Sequence, residues 1–175
     1  MNAVIKYPGA KWSLAQWIIS HFPSHHSYLE PFFGSGAVLF TKNRSNIETV
    51  NDLDDYVVNL FDWIRNDPER LAWAVYWTPY ARQIYNQAFS GQCTENDRFQ
   101  RAVNFYIRLM MGHGFRTTGR KVGWKNDVQG REKAYAQNKG GYAVHDWDVH
   151  GDYVGIHRLA PTIRLFESYN GHFAG

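Results

Sequence analysis

The stretch YLEPFFGSGAVLF, Tyr28 to Phe40, constrains this chain more than any other. An apolar run that breaks at Gly34 and Gly36 and restarts with Ala37, Val38 and Leu39 reads as a strand, a tight turn and a helix start reaching to about Asn43. A strand-to-helix turn needs at most one glycine, whereas a loop whose backbone approaches a ligand often uses two.

The neighbouring segments fit one plan. Leu14, Trp17, Ile18 and Phe22 recur at helical spacing, which predicts a helix from about Lys11 to His21. SYLEPF reads as a short buried strand, IETVND as a second strand, and DDYVVNLFDWIRN as a helix opening on acids that suit its N-terminus. Two more helices are expected, from about Pro68 to Phe89 with a kink at Pro79, and from Asp97 to Met111. This β-α-β-α order argues for an α/β doubly wound sheet. After Met111 five glycines occur in GHGFRTTGRKVGWKNDVQG, and GFRTTG and KVGWK could pair as a hairpin.

With 175 residues, 44% of them apolar and 17% aromatic, the chain can bury one hydrophobic core and is not disordered. No apolar run approaches the ~18 residues of a membrane span. The opening MNAVIKYPGAKW lacks the layout of a signal peptide. Cys93 is the single cysteine, so no disulfide framework and no cysteine cluster for a metal is expected. The expectation is a soluble cytoplasmic domain.

Charge is distributed unevenly. Residues 1–90 hold seven Lys/Arg against eight Asp/Glu, and residues 91–175 hold twelve against eight. Between Arg108 and Lys133 seven basic residues face two acids, interleaved with Phe115 and Trp124. Such a stretch suits a polyanion, although a solvated basic loop has the same composition.

Asp52 ends the second strand, 18 positions after Gly34. A carboxylate there can accept both hydroxyls of an adenosine ribose, or it can cap the next helix. Asp54 is an equally good cap, which leaves Asp52 for a ligand. Upstream, Tyr7, the Pro8-Gly9 turn and Lys11 precede a helix; the aromatic can pack on a cofactor and the lysine can pair with a carboxylate.

In register, Tyr7-Pro8-Gly9-Ala10-Lys11, Glu30-Pro31-Phe32-Phe33-Gly34-Ser35-Gly36 and Asn51-Asp52-Leu53-Asp54 resemble the opening motifs of the DNA adenine-N6 methyltransferases, in particular the DNA adenine methyltransferase and its phage relatives. The resemblance implies the S-adenosylmethionine-dependent methyltransferase fold, which is Rossmann-like. It also implies S-adenosylmethionine as cofactor, with Tyr7, Lys11, Glu30, Pro31, Phe32, Gly34, Gly36 and Asp52 at its site. Gly34 and Gly36 would lie at the methionine moiety and Asp52 on the ribose. Residues 1–66 would be the cofactor-binding part of the core, 67–140 a helical and hairpin target-recognition segment, and 141–175 a return towards the core. Double-stranded DNA is the implied partner, through Arg116, Arg120, Lys121 and Lys125, with Lys6 by analogy near a base. Modification of host or phage DNA is the implied setting. The rivals are a nucleotide-binding fold of another lineage and a loop geometry retained without a ligand.

The family's catalytic motif, [Asp/Asn]-Pro-Pro-[Tyr/Phe], does not occur. The six prolines stand at 8, 23, 31, 68, 79 and 161, and TPY at Thr78 reads as a helix kink. The side chain and proline carbonyl of that motif hold the target amine, and its aromatic stacks on the flipped base. These residues alone are therefore expected not to methylate. A gene cut short, half of a split enzyme completed by a second polypeptide, and a binding module each account for this. The remaining half-sheet is expected to expose an edge.

Overall fold

In the computed structural model, which describes residues 4–79, 81–90, 97–113 and 121–125, helical periodicity is realised most fully in two helices. In chain order the elements are α1 (Ala15–Ile19), β1 (Ser27–Glu30), β2 (Ile47–Val50), α2 (Asp55–Asn66), α3 (Pro68–Tyr76), α4 (Arg82–Gln87) and α5 (Arg98–Met111). Val57, Leu60, Phe61 and Ile64 share one face of α2 and are buried. They meet the buried face of α5, including Phe105, Leu109 and Met110, in one core that α3 completes with Leu71 and Val75.

Both long helices start on an aspartate cap. The Asp54 carboxylate accepts the Tyr56 amide at 3.0 Å, and that of Asp97 accepts the Gln100 amide at 2.9 Å. Asn59 is polar yet fully buried on the inner face of α2. It donates to the Arg98 carbonyl at 2.7 Å and accepts the Arg98 guanidinium at 3.1 Å, which fixes the start of α5 against α2.

The helix expected over Pro68 to Phe89 is two helices. α3 ends at Tyr76, and the chain is extended at Ala81 before α4 begins. Pro79 has no amide to donate and disfavours helical geometry at Thr78, so it breaks the helix rather than kinking it. α1 is likewise shorter than the expected Lys11 to His21, although turn hydrogen bonds carry the chain on to Phe22.

β1 and β2 are parallel, with Ser27 opposite Ile47 and Glu30 opposite Val50. The ladder continues past both strands: the Asn51 amide donates to the Glu30 carbonyl, and the Phe33 amide to the Asn51 carbonyl, each at 2.9 Å. SYLEPF is not the buried strand expected from its sequence. One face of the pair, with Leu29 and Ile47, is exposed, while Tyr28, Glu30 and Glu48 point towards the turns at 37–42. The described residues thus form an α/β arrangement with one parallel strand pair. No helix among them is long and apolar enough to cross a membrane. Residues 141–175, and the GFRTTG half of the expected hairpin, lie outside the described residues.

Candidate functional site

The three sequence motifs meet where β1 and β2 end. Gly34 and Gly36 both take left-handed backbone, with φ of 53° and 66°, a conformation that favours glycine. The Gly34 amide donates to Oδ2 of Asp52 at 2.7 Å, and Oδ1 of the same carboxylate accepts the Asp54 amide at 2.9 Å. The Tyr7 ring packs on Gly34, where an added Cβ would come within 3.1 Å of it. The Tyr7 hydroxyl donates to Asp54 at 3.4 Å. Burial pushes the Asp54 carboxyl above its ordinary range, and the neighbouring Asp52 charge pushes the same way.

Asp54 is therefore the helix cap, as its position suggests, but Asp52 is not idle. Each of its oxygens already accepts one backbone amide. A carboxylate offers about four acceptor sites, so capacity remains for a ligand hydroxyl at each oxygen.

Gly36 answers a different need from Gly34. An added Cβ would lie 2.3 Å from the Phe40 ring and 2.6 Å from Phe33. Those two rings pack edge to face at a centroid distance of 5.8 Å. Close ring packing inside this chain, as well as a left-handed backbone, requires this glycine.

Glu30 sits behind the loop. It accepts the Tyr28 hydroxyl at 3.0 Å and the Leu39 amide at 3.1 Å. Burial raises its pKa, and those two hydrogen bonds with the charges of Lys11 and Lys42 offset part of the rise. By taking the Leu39 amide it interrupts the helix expected from Ser35 onwards. Residues 37–42 form turns, even though Phe40 bonds Gly36 and Lys42 bonds Val38 at helical spacing. Behind Glu30, Lys42 pairs with Glu48 and lies over the Tyr28 ring at 4.4 Å. Pro31 and Phe32 are exposed at the tip of β1, Phe32 to 74%. Lys11 is also exposed. Ser35, which the sequence did not single out, is 2% exposed, and its hydroxyl meets no hydrogen-bond partner among the described residues.

A cleft of about 370 Å³ opens beside Asp52, between β2 and α2. Phe33, Val50 and Phe61 give it an apolar wall, and Asp52, Arg44 and Arg65 a polar rim. Glu48 and Asp62 also line it; a cleft with one apolar wall and a carboxylate at its edge suits a flat base carrying a diol. Of the sequence-singled residues only Asp52 lines this cleft; Gly34 and Tyr7 lie at the loop that its carboxylate braces, and Lys11 acts on Glu30 through its charge.

The basic segment is described in part. Arg116 and Arg120 lie outside the described residues. Residues 121–125 run antiparallel to the end of α5: Gly112 bridges Trp124, the His113 amide donates to Gly123 at 2.8 Å, and the Lys125 amide donates to Met111 at 2.7 Å. Lys121 is exposed and Lys125 half-buried. Burial lowers the Lys6 pKa, and the positive charge of Lys125 adds to the effect, which puts these two distant residues within electrostatic reach.

No curated protein matches the chain. Residues 7–139, a span that holds all three motifs, the helices and the strand at 121–125, match the family model of the D12 class N6 adenine-specific DNA methyltransferases. With most of its length inside that match, the chain belongs to the D12 class N6 adenine-specific DNA methyltransferase family.

Proposed function

We propose that residues 1–66 form the S-adenosylmethionine-binding part of a Rossmann-like methyltransferase core, that residues 67–140 recognise the DNA target, and that the chain serves site-specific methylation of adenine N6 in duplex DNA. Membership of the D12 class supports an adenine-N6 methyltransferase function, a class that generally uses S-adenosylmethionine. The observation that carries the cofactor reading is the meeting of Tyr7, Gly34 and Asp52 at the ends of two parallel strands, beside a cleft with one apolar wall.

When bound, the cofactor supplies an electrophilic methyl group. Asp52 offers its remaining acceptor positions to the ribose hydroxyls, and Phe33, Val50 and Phe61 cover an apolar base. Gly34 and Gly36 bring backbone to the methionine end, with Tyr7, Lys11, Glu30, Pro31 and Phe32 around it. Lys6, Lys121 and Lys125, with Arg116 and Arg120, meet DNA phosphates and base edges.

These 175 residues include no adjacent prolines, so the paired-proline acceptor motif is missing from them. We read them as binding cofactor and DNA without methylating by themselves; a second polypeptide carrying the acceptors would complete the site. A second reading, a loop retained only for packing, draws on both site glycines facing rings of this chain.

Calorimetric titration with S-adenosylmethionine separates the two. Saturable heat that is lost in Asp52→Ala supports the cofactor site, and its absence from the parent protein favours the packing loop. Labelled-methyl transfer to DNA adenine by these residues alone would refute the claim of inactivity.

A further inference from the structure

We propose that Tyr85 is a positioning residue for DNA recognition, holding from below the strand that carries Lys121 and Lys125. The inference rests on the reading of this strand as a DNA contact. Tyr85 stands on α4, is fully buried, and packs edge to face on Phe89 at 5.1 Å. Its phenol crosses to the strand and donates to the Val122 carbonyl at 2.7 Å.

Among the described residues, backbone pairing and a side-chain hydrogen bond both hold this segment. Its backbone is paired with the end of α5 at Met111, Gly112 and His113. Away from that pairing, the Tyr85 phenol fixes its second residue. Gly112 lies between the two: an added Cβ there would come within 3.1 Å of both the Tyr85 hydroxyl and a Val122 methyl, and 2.7 Å from the Arg108 carbonyl. The strand therefore sits flush on the helix end, with no room to shift inward.

Trp124 packs against the core with Arg82 over its ring at 5.3 Å. Val122 and Lys125 are half-buried beside it, whereas Lys121 and Gly123 are exposed. A rotation or slip of this short strand would misplace both ammonium groups at once. The Tyr85 hydroxyl opposes such a slip at the Val122 carbonyl, and Tyr85→Phe removes it without changing the packing of the ring.

The test is binding of a fluorescent duplex by Tyr85→Phe across a salt series, at a temperature where circular dichroism shows parent and variant fully folded. The expected result is about three- to ten-fold weaker binding, the span of one hydrogen bond. The log–log salt slope should also become shallower by about one to two, because Lys121 and Lys125 leave their phosphates. Gly112→Ala, which pushes the strand outward, should show the same signature. A merely structural role would leave binding and slope unchanged at that temperature; that result, or weaker binding with an intact slope, overturns the proposal. If the parent protein binds no duplex, the DNA reading fails and this inference with it. If the parent binds and Tyr85→Phe is unaltered, the inference alone fails.

Discussion

The Asp52 carboxylate accepts the Gly34 amide at 2.7 Å across the gap between two strand ends. With its other oxygen on the Asp54 amide, it braces the loop before any ligand arrives. Asp52→Ala should therefore lower stability by about 1.5–3 kcal/mol, the range for hydrogen bonds to a charged group, besides removing cofactor heat. Asp52→Asn should fall between the two, since its amide nitrogen cannot accept from a backbone N–H. Thermal unfolding of the three proteins gives the order, and equal midpoints would remove the brace.

The left-handed glycines separate backbone strain from crowding. Gly9 has φ of 72° and open space at its Cβ position, whereas Gly36 has φ of 66° and two rings in the way. Gly9→Ala should lower stability by about 1 kcal/mol. Gly36→Ala should lower it by about 2–4 kcal/mol, because overpacking adds to strain. Urea unfolding tests this, and equal losses would mean that the Phe33–Phe40 contact adds nothing.

Glu30 should leave a mark on pH dependence. Folding raises its pKa above the ordinary 4.5, so the native state holds this proton more tightly than the unfolded chain. Its favourable contribution is complete below that value and is lost as pH rises through the native pKa. Glu30→Gln retains an acceptor for Tyr28 and Leu39 but carries no titration. Its thermal midpoint relative to the parent should therefore rise as pH increases from below 4.5 through the native titration. A constant difference across that range would contradict the assignment.

Lys42 and Glu48 form an ion pair with only 2% and 14% of their side chains exposed. Lys42→Met alone removes one partner of this largely buried pair and should cost about 3–5 kcal/mol. Lys42→Met with Glu48→Leu should recover most of that loss. Denaturant midpoints of the two variants decide the point, and a double variant no better than the single would argue against the pairing.

What could be read from the sequence was governed by how local each cause is. α2 and α5 follow from periodicity and an aspartate cap, both contained within a few residues. The order of the three motifs predicted their meeting, and the D12 class match includes all of them. The helix expected after Ser35 did not form because Glu30, nine residues earlier, takes the Leu39 amide. Asp52 was read as available, while its partner at Gly34 is reached only once β1 and β2 pair in register. The link from Tyr85 to Val122 spans 37 residues and leaves no pattern in the chain. The last two depend on contacts between segments that no local window contains, and the first on a side-chain acceptor that periodicity does not register.

The ladder that runs on from β1 and β2 through Asn51 and Phe33 has a consequence for how such sites vary. Loop and acid are aligned by strand pairing, so the number of residues joining them is free to change. Insertions within 43–46 that preserve the pairing of Glu30 with Val50 leave the Asp52 carboxylate at the Gly34 amide. A slip of one residue in that pairing turns the carboxylate to the other side of the sheet. Searches that fix the interval between glycine loop and acid would pass over working sites, whereas searches that require an intact second strand ending on the acid would retain them.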